Sequence, residues 1–310
     1  MDNAAQVSLL TWAELPRIGD RSLHRVQAHA RSRQLSLAAL AMLPVARLAQ
    51  ELRLPAAAIR RLGEERAWHH RRCVALAARL TAAGAELCQP GDALYPTGWQ
   101  RHAEPPPAVA TLYGNVALAA QPNVALLHSR LVSEASVAAT LRVVSAICAD
   151  GLAVAVGGMK TPHRIAAATA RALGAARLVV LDRGLFAAFG DDVGRDPFGL
   201  GPGRGQFNLE RSLVVSAFRP DDHAVARSGR RRDALLTALA DIVVAVSARP
   251  GGEIERCCRA CLRRGQCVLV WEGGNLALLG DGAIPIAAAD LGAGFRRFLP
   301  IHRRTAARSA

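Results

Sequence analysis

The chain has 310 residues, of which 51% are hydrophobic and 4% aromatic, so it can bury a large core but has few rings for base stacking. Its 39 basic residues outnumber its 25 acidic ones, and Lys160 is the single lysine beside 38 arginines. The formal charge of +14 predicts a polyanionic partner, with nucleic acid the leading candidate and a generically basic surface the alternative. No apolar run reaches the roughly 18–20 residues that cross a bilayer and no leader peptide is recognisable, so we expect a cytoplasmic protein without membrane contact.

Residues 1–85 predict a small all-helical domain, because apolar residues recur there at helical spacing. The predicted helices cover 9–15, 22–29, 37–43, Val45–Leu52, 55–62 and 65–83. The segment LPRIGDRSLHRV (15–26) is similar to the hairpin of a helix-hairpin-helix module, so we expect a SAM-like or helix-hairpin-helix-like domain. Arg17 stands where such hairpins usually have glycine. The hairpin can bind a phosphate through backbone N–H groups at a helix N-terminus, and a simple packing corner is the alternative.

Residues 86–302 predict an α/β domain, and 303–310 a disordered basic tail. A proline-rich approach with a short strand at 108–113 leads to an apolar strand at 124–128, a helix over Glu134–Ala149 and a second strand at 152–156. Two apolar strands around an amphipathic helix form a βαβ unit. Further predicted helices cover 162–173, 230–240 and 253–264, and further strands 177–182, 212–218, 241–247 and 266–271. This alternation predicts a doubly wound, mostly parallel sheet.

One long segment, 183–211, is rich in Gly, Asp and Pro and contains GLGPGRGQF. We expect the segment to be irregular and its GLGPGRGQF portion to be flexible or ordered by a ligand, because a loop of this length inside a domain is functional or disordered.

The carboxyl ends of the predicted strands carry small or cationic residues, which suit a phosphate site at the edge where open parallel sheets bind ligands. Glycine lets backbone N–H groups approach an anion closely, arginine can pair with a phosphate through two hydrogen bonds, and a helix N-terminus favours an anion. An arginine cluster at a helix start opposes the helix dipole and is therefore easier to explain by an anionic ligand. The predicted phosphate-binding residues are Ser129, Arg130, Gly157, Gly158, Lys160, Arg230, Arg231, Arg232, Gly251 and Gly252.

Seven cysteines are most simply free thiols in a cytoplasmic protein. Cys258 and Cys261 have the spacing of a zinc-binding pair, but they lie in a predicted helix without a second ligand pair of suitable spacing. We therefore expect no metal and no cofactor.

Five sequence blocks, taken together in order and spacing, resemble the DNA-processing protein A family (DprA, also called Smf). They are Tyr95-Pro96 with the prolines 105–107, LYGN at 112–115, VALLHSR at 124–130, GGMKTPHRIAAATARALG at 157–174 and RRRDALLTALADIVVAV at 230–246. The resemblance implies a Rossmann-like fold, a homodimer, and a non-enzymatic protein that binds single-stranded DNA in a basic pocket. It also implies loading of the recombinase RecA in natural transformation or recombination.

The chain departs from the family pattern inside those blocks. His128 replaces the glycine of the GSR turn, Pro162-His163 replace Gly-Ile-Asp, and Asp233 and Ala234 replace an asparagine and an arginine. The turn at 250–252, PGG followed by Glu253 and Glu255, is closer to the LOG-type phosphoribohydrolases. A small-nucleotide binder or a nucleoside-monophosphate hydrolase, with His163 and Asp182 as acid–base groups, is therefore the alternative.

Overall fold

The computed structural model describes residues 2–129, 133–190, 192–200 and 205–300. By compactness the chain divides into two units. The first comprises the chain up to residue 95 together with 104–112, and the second comprises 96–103 and the chain from 113 onward. In the part of the chain that the structure describes, none of the helices is long and apolar enough to cross a membrane.

The first unit consists of short helices around one apolar core. Its elements are α1 (Asn3–Ala13), α2 (Asp20–Ser32), α3 (Leu37–Ala41), α4 (Val45–Leu52), α5 (Ala56–Gly63), α6 (Arg66–Ala82) and the strand β1 (Ala85–Cys88). The helix predicted at 9–15 begins six residues earlier, because the side chain of Asp2 caps it by accepting the backbone N–H of Ala5. Trp12, Leu40 and Leu48 are among the fully buried residues of the core.

The corner between α1 and α2 packs into that core. Leu15 and Ile18 are buried, and Arg17 has a φ of +60°, in the left-handed region that usually favours glycine. The carboxylate of Asp20 accepts the backbone N–H of Ala108 at 3.0 Å. These contacts support the packing-corner interpretation of the helix-hairpin-helix-like segment, since they account for its sequence without a ligand.

The second unit is built on a parallel sheet. The strand β2 (Ala110–Gly114) spans the boundary between the units, and the second unit then adds β3 (Asn123–His128), β4 (Ala153–Val156), β5 (Arg177–Val180), β6 (Ser212–Ser216), β7 (Ile242–Ser247), β8 (Cys267–Trp271) and β9 (Ile284–Ile286). The order of its seven strands is β6-β5-β4-β3-β7-β8-β9, and every neighbouring pair is parallel. From β3 the chain builds outward in one direction to β6 and in the other to β9. The point where the order turns, between β3 and β7, is the topological switch point of the sheet.

The second unit also contains α-helices, most of which connect these strands. They are α7 (Thr97–His102), α8 (Glu134–Ala149), α9 (Thr161–Ala172), α10 (Leu185–Phe189), α11 (Ser228–Leu239), α12 (Glu253–Arg263) and α13 (Leu276–Gly280). The predicted Rossmann-like α/β fold is confirmed, and α8 has the bounds that its apolar spacing predicted. The strands predicted at 177–182 and 212–218 end two residues sooner, at Val180 and Ser216.

The segment 183–211, predicted to be irregular, has little regular secondary structure among its described residues. Residues 201–204 of its GLGPGRGQF portion lie outside the described residues, so the expectation that this portion is flexible or ordered by a ligand stays a prediction. The segment contains α10 and an isolated antiparallel bridge between Arg195 and Gln206. It is fixed to the sheet by Asp196, which is fully buried and pairs with Arg177 of β5 at 2.5 Å. A cluster of rings holds it as well, formed by Tyr113, Phe189, Phe198 and Phe207. Among the described residues of this segment, a buried ion pair and packed rings therefore supply the order outside α10.

Candidate functional site

The ends of β3 and β7 are joined at the switch point. Ser129, the first residue after β3, donates its backbone N–H to the carbonyl of Ser247 at 2.7 Å. Its Oγ accepts the backbone N–H of Arg249 at 2.9 Å. Because the seven strands β3 to β9 are parallel, this is the carboxyl edge at which the sequence predicted phosphate binding. Arg130, the next predicted site residue, lies outside the described residues, and its role stays a prediction.

The glycine turn after β4 is closed by side chains of the protein itself. Gly157 donates its backbone N–H to Nδ1 of His163 at 3.1 Å, and its carbonyl accepts a hydrogen bond from Nη1 of Arg232 at 2.9 Å. A Cβ at position 157 would lie 2.6 Å from Cδ and Nε of Arg232. Position 157 therefore requires glycine, because any side chain there would clash with Arg232. The N–H and the carbonyl of Gly157 are both hydrogen-bonded within the protein. Gly158 has a φ of +53°, which explains the second glycine of the turn.

Arg232 is a buried residue and not an exposed cation. Its side chain is 1% exposed, and Nε and Nη2 both donate to Oδ1 of Asp233, at 2.9 and 2.6 Å. Oδ2 of Asp182 lies 4.0 Å from Nη1. Burial raises the pKa of Asp233 above its ordinary value, while the Arg232 guanidinium acts in the opposite direction. Two carboxylates thus neutralise the guanidinium inside the protein.

The other two arginines of the triplet point elsewhere. The helix predicted at 230–240 begins two residues earlier, at Ser228, so the three arginines occupy its third to fifth positions. Arg230 is exposed and pairs with Glu253 at 3.1 Å. Arg231 donates to the carbonyl of Ala217 at 2.9 Å, and its guanidinium lies 5.0 Å from the ring centre of Phe218. Successive helical positions are about 100° apart, so the sequence cluster becomes three separate contacts.

Lys160 is exposed and is the N-cap residue of α9. Its Nζ lies 3.2 Å from the position that a Cβ on Gly229 would take, so the ammonium group reaches the first turn of α11. Arg249, which follows β7, is also exposed. These two cations follow β4 and β7, the strands on either side of β3.

The glycine turn that opens α12 is capped from within. Gly251 donates its backbone N–H to Oε2 of Glu255 at 2.8 Å, and Asn275 donates to the same oxygen. Oε1 of Glu255 pairs with Arg259 at 2.6 Å. The hydrogen bonds from Asn275 and Gly251 lower the pKa of this carboxyl group, so it is ionised. The helix N-terminus predicted to hold a phosphate through Gly251 and Gly252 therefore already binds an anion, the carboxylate of Glu255.

Two histidines lie buried beneath the edge. The rings of His128 and His163 meet edge to face with their centres 5.8 Å apart. Burial lowers the pKa of His128 to about 4 and that of His163 well below its ordinary value, where the charges of Arg232 and Lys160 act in the same direction. Both rings are therefore neutral at physiological pH. Nε2 of His128 is buried without a hydrogen-bond partner among the described residues.

The sequence did not reveal this interior. In the sequence Asp233 and His128 stand out only as departures from the family pattern. In the structure Asp233 neutralises Arg232, and His128 packs against His163 under the turns. The sequence feature that could have predicted the buried ion pair is the adjacency of two opposite charges, Arg232 and Asp233. The Cys258 and Cys261 thiols are buried in α12, and within the described ranges no group of three or more His, Cys, Asp or Glu residues could hold a metal ion.

A parallel sheet with a switch point, glycine turns and flanking cations at one edge defines a Rossmann-like α/β protein. The family model for DNA recombination-mediator protein A matches residues 86–277, which is more than half of the chain. The chain belongs to this family. No curated protein matches it.

Two solved structures share the fold. DNA processing protein A from Streptococcus pneumoniae is 17% identical with a TM-score of 0.66, over 95% of this chain and 98% of that one. The Helicobacter pylori protein, whose single-stranded DNA binding mode has been described, is 15% identical with a TM-score of 0.52, over 73% of this chain and 96% of its own. Identities this low establish similarity of fold alone.

Proposed function

We propose that this protein binds single-stranded DNA through its phosphates at the carboxyl edge of the sheet, without catalysing a reaction on it. The observation that carries the proposal is the position of Lys160 and Arg249, exposed cations at the ends of the two strands that flank β3. Membership of the DNA recombination-mediator protein A family supports it, as does the single-stranded DNA binding of the Helicobacter pylori relative.

Several predicted site residues pair with other residues of the protein, so the proposal assigns only part of the predicted set to the ligand. The proposal assigns the phosphates to the exposed cations Lys160, Arg230 and Arg249, with Arg230 exchanging its pairing with Glu253 for the ligand. Arg130, which follows Ser129 in the sequence, stays a predicted contact. Arg232 and Gly157 are buried and support the turn after β4, whereas Gly251 is exposed with its backbone N–H bound to Glu255. Because the ligand would be held through phosphates, its affinity should fall steeply with salt.

The occupied acid–base groups support a non-enzymatic role. Nδ1 of His163 accepts a backbone N–H, Asp182 pairs with Arg183 at 2.9 Å, and Glu255 caps its own helix. These structural contacts account for the three groups without a reaction. His163 cannot accept a proton at Nδ1, because that lone pair already accepts the backbone N–H of Gly157.

The family role extends the proposal to partners. We propose a cytoplasmic homodimer that assists loading of RecA onto the bound strand, in DNA uptake or recombination. The warrant for these finer points is the family membership alone. Light scattering of the purified protein tests the dimer, and RecA-dependent strand exchange on oligonucleotides tests the loading.

The DNA-binding proposal is tested by fluorescence anisotropy with a labelled oligo-dT strand at two salt concentrations. We expect binding at low salt, and a loss of about tenfold for Lys160→Glu and for Arg249→Glu. Arg142→Glu is the matched control, because Arg142 is exposed on α8, past the middle of the helix and away from the strand ends. Absence of binding at low salt would overturn the proposal. Release of a free base from a panel of nucleoside monophosphates would establish the hydrolase alternative instead.

A further inference from the structure

Trp68 on α6 is the exception among the tryptophans. Trp12, Trp99 and Trp271 are 1%, 0% and 8% exposed, whereas Trp68 is 48% exposed. The guanidinium of Arg61 lies 4.4 Å from its ring centre. This cation–π contact holds the indole at the surface, so a large aromatic ring is exposed to solvent beside a positive charge.

The surroundings of Trp68 form a basic face on one helix. Positions three, four, seven and eleven residues after Trp68 lie on the same side of α6. They are Arg71, Arg72, Ala75 and Arg79, and all of them are exposed. The opposite side of the helix carries the buried residues His69, Cys73, Leu76 and Leu80. The exposed side therefore combines one aromatic ring with three arginines.

The charge of this region is only partly balanced within the protein. Residues 60–79 contain six arginines and two glutamates. Glu65 pairs with Arg60 and Arg61, and Arg72 lies 3.5 Å from Glu14. Arg71 has no acidic partner among the described residues. The face therefore has positive charge left for an anion, and beside that charge an exposed ring.

We propose that this face of α6, defined by Trp68, Arg71, Arg72 and Arg79, is a second contact for single-stranded nucleic acid. Trp68 stacks on an unpaired base while the arginines bind the adjoining phosphates. A single strand fits better than a duplex, because a base is available for stacking only where it is unpaired. The inference rests on the proposed function for the identity of the ligand, but it places the contact in the helical unit and not at the sheet edge.

The test uses the intrinsic fluorescence of the full chain. Unlabelled oligo-dT should quench tryptophan emission, and the quenching should vanish in Trp68→Phe, which keeps a ring for stacking but removes this indole. Anisotropy with labelled oligo-dT should show that Trp68→Ala binds about fivefold more weakly or worse, whereas Trp68→Phe binds close to the wild type. Arg71→Ala should lower the slope of log affinity against log salt by about 0.7, the value for one phosphate contact of a single strand.

The matched control is Val74→Ala. Val74 is an apolar residue of the same helix, 40% exposed and about 120° around the axis from Trp68, so its truncation should leave affinity unchanged. Thermal melts confirm that each variant is folded. Equal quenching by polyglutamate would overturn the stacking proposal, since that polyanion has no bases. If oligo-dT binds but neither quenches the emission nor responds to Trp68→Ala, this inference alone fails, whereas absence of any binding at low salt defeats the proposed function as well.

Discussion

Asp233 accepts two hydrogen bonds from the guanidinium of Arg232, its neighbour in the chain, while the same guanidinium donates to the carbonyl of Gly157. The most buried arginine of the strand edge is thereby neutralised and fixed beneath the glycine turn after β4. The sequence predicted that Arg232 binds a ligand, but in the structure its guanidinium stabilises the glycine turn after β4.

Asp233→Ala should destabilise the protein strongly. It leaves the Arg232 guanidinium buried without its main partner, and breaking a buried ion pair from one side costs about 3–5 kcal/mol of the free energy of unfolding. Urea denaturation measures the change. The double variant Arg232→Met with Asp233→Ala should recover much of the loss, because no buried charge is left.

Glu210→Ala serves as the control for Asp233, since Glu210 is an exposed acid of the same unit and its removal should change stability by about 0.5 kcal/mol at most. An Asp233→Ala variant as stable as this control would contradict the assigned role of the pair.

Gly157→Ala should also be destabilising, and for a steric reason. The new methyl group would lie 2.6 Å from Cδ and Nε of Arg232, which cannot move aside without breaking its bonds to Asp233 or to the turn. Overpacking of this kind costs about 1–3 kcal/mol. The shift in the midpoint of urea denaturation gives the value, and combination with Arg232→Met should remove most of the penalty.

Gly280→Ala is the comparison for Gly157→Ala. Nothing lies within 4 Å of a Cβ at that position, so the change should be neutral or slightly stabilising. Equal effects of the two substitutions would mean that Arg232 does not restrict position 157.

The buried histidines predict a loss of stability in mild acid. Burial lowers the pKa of His128 in the folded state from 6.5 to about 4, so the unfolded chain binds a proton more readily throughout that interval. The buried histidine therefore does not lower the free energy of unfolding above pH 6.5. Below that, the free energy of unfolding falls by about 1.4 kcal/mol per pH unit as the pH drops toward 4. His163, with its pKa lowered in the same direction, adds to the slope.

His128→Leu should flatten this pH dependence at little cost at neutral pH, because Nε2 of His128 has no hydrogen bond to lose among the described residues. Urea denaturation at several pH values provides the slopes, and the difference between wild type and variant removes the contribution of Asp233 and other carboxyl groups. His223→Leu, at an exposed position of the same unit, should keep the wild-type slope. An unchanged slope in His128→Leu would show that this ring is not the titrating group.

The sequence predicted the long, periodic elements well. The bounds of α4 and α8 are those that apolar spacing gave, and β3 and β7 differ from the prediction by one residue. The short elements were missed: β1, α7, α10, α13 and β9 have three to six residues each. Their stability comes from distant contacts. Trp99 of α7, for example, donates its indole N–H to the carbonyl of Leu235, which no local pattern shows.

The site was predictable only in outline. Strand ends could be placed because parallel strands bring their carboxyl ends to one edge, so Ser129 and Gly157 fell where expected. The partner of each charged residue could not be predicted from the sequence. A run of three arginines does not show which of them pairs with Asp233 in the interior. Counting charges along the chain therefore overstates the positive charge that a ligand meets at the edge.

The two hydrogen bonds of Ser129 have a mechanical consequence. One joins Ser129 to Ser247 and the other joins it to Arg249. The carboxyl ends of β3 and β7 are therefore hydrogen-bonded to each other, although more than a hundred residues of chain separate them. Displacement of one strand end should move the other with it. A Ser129→Ala change would remove the hydrogen bond to Arg249 and keep the backbone bond to Ser247, so it should loosen the connection without abolishing it.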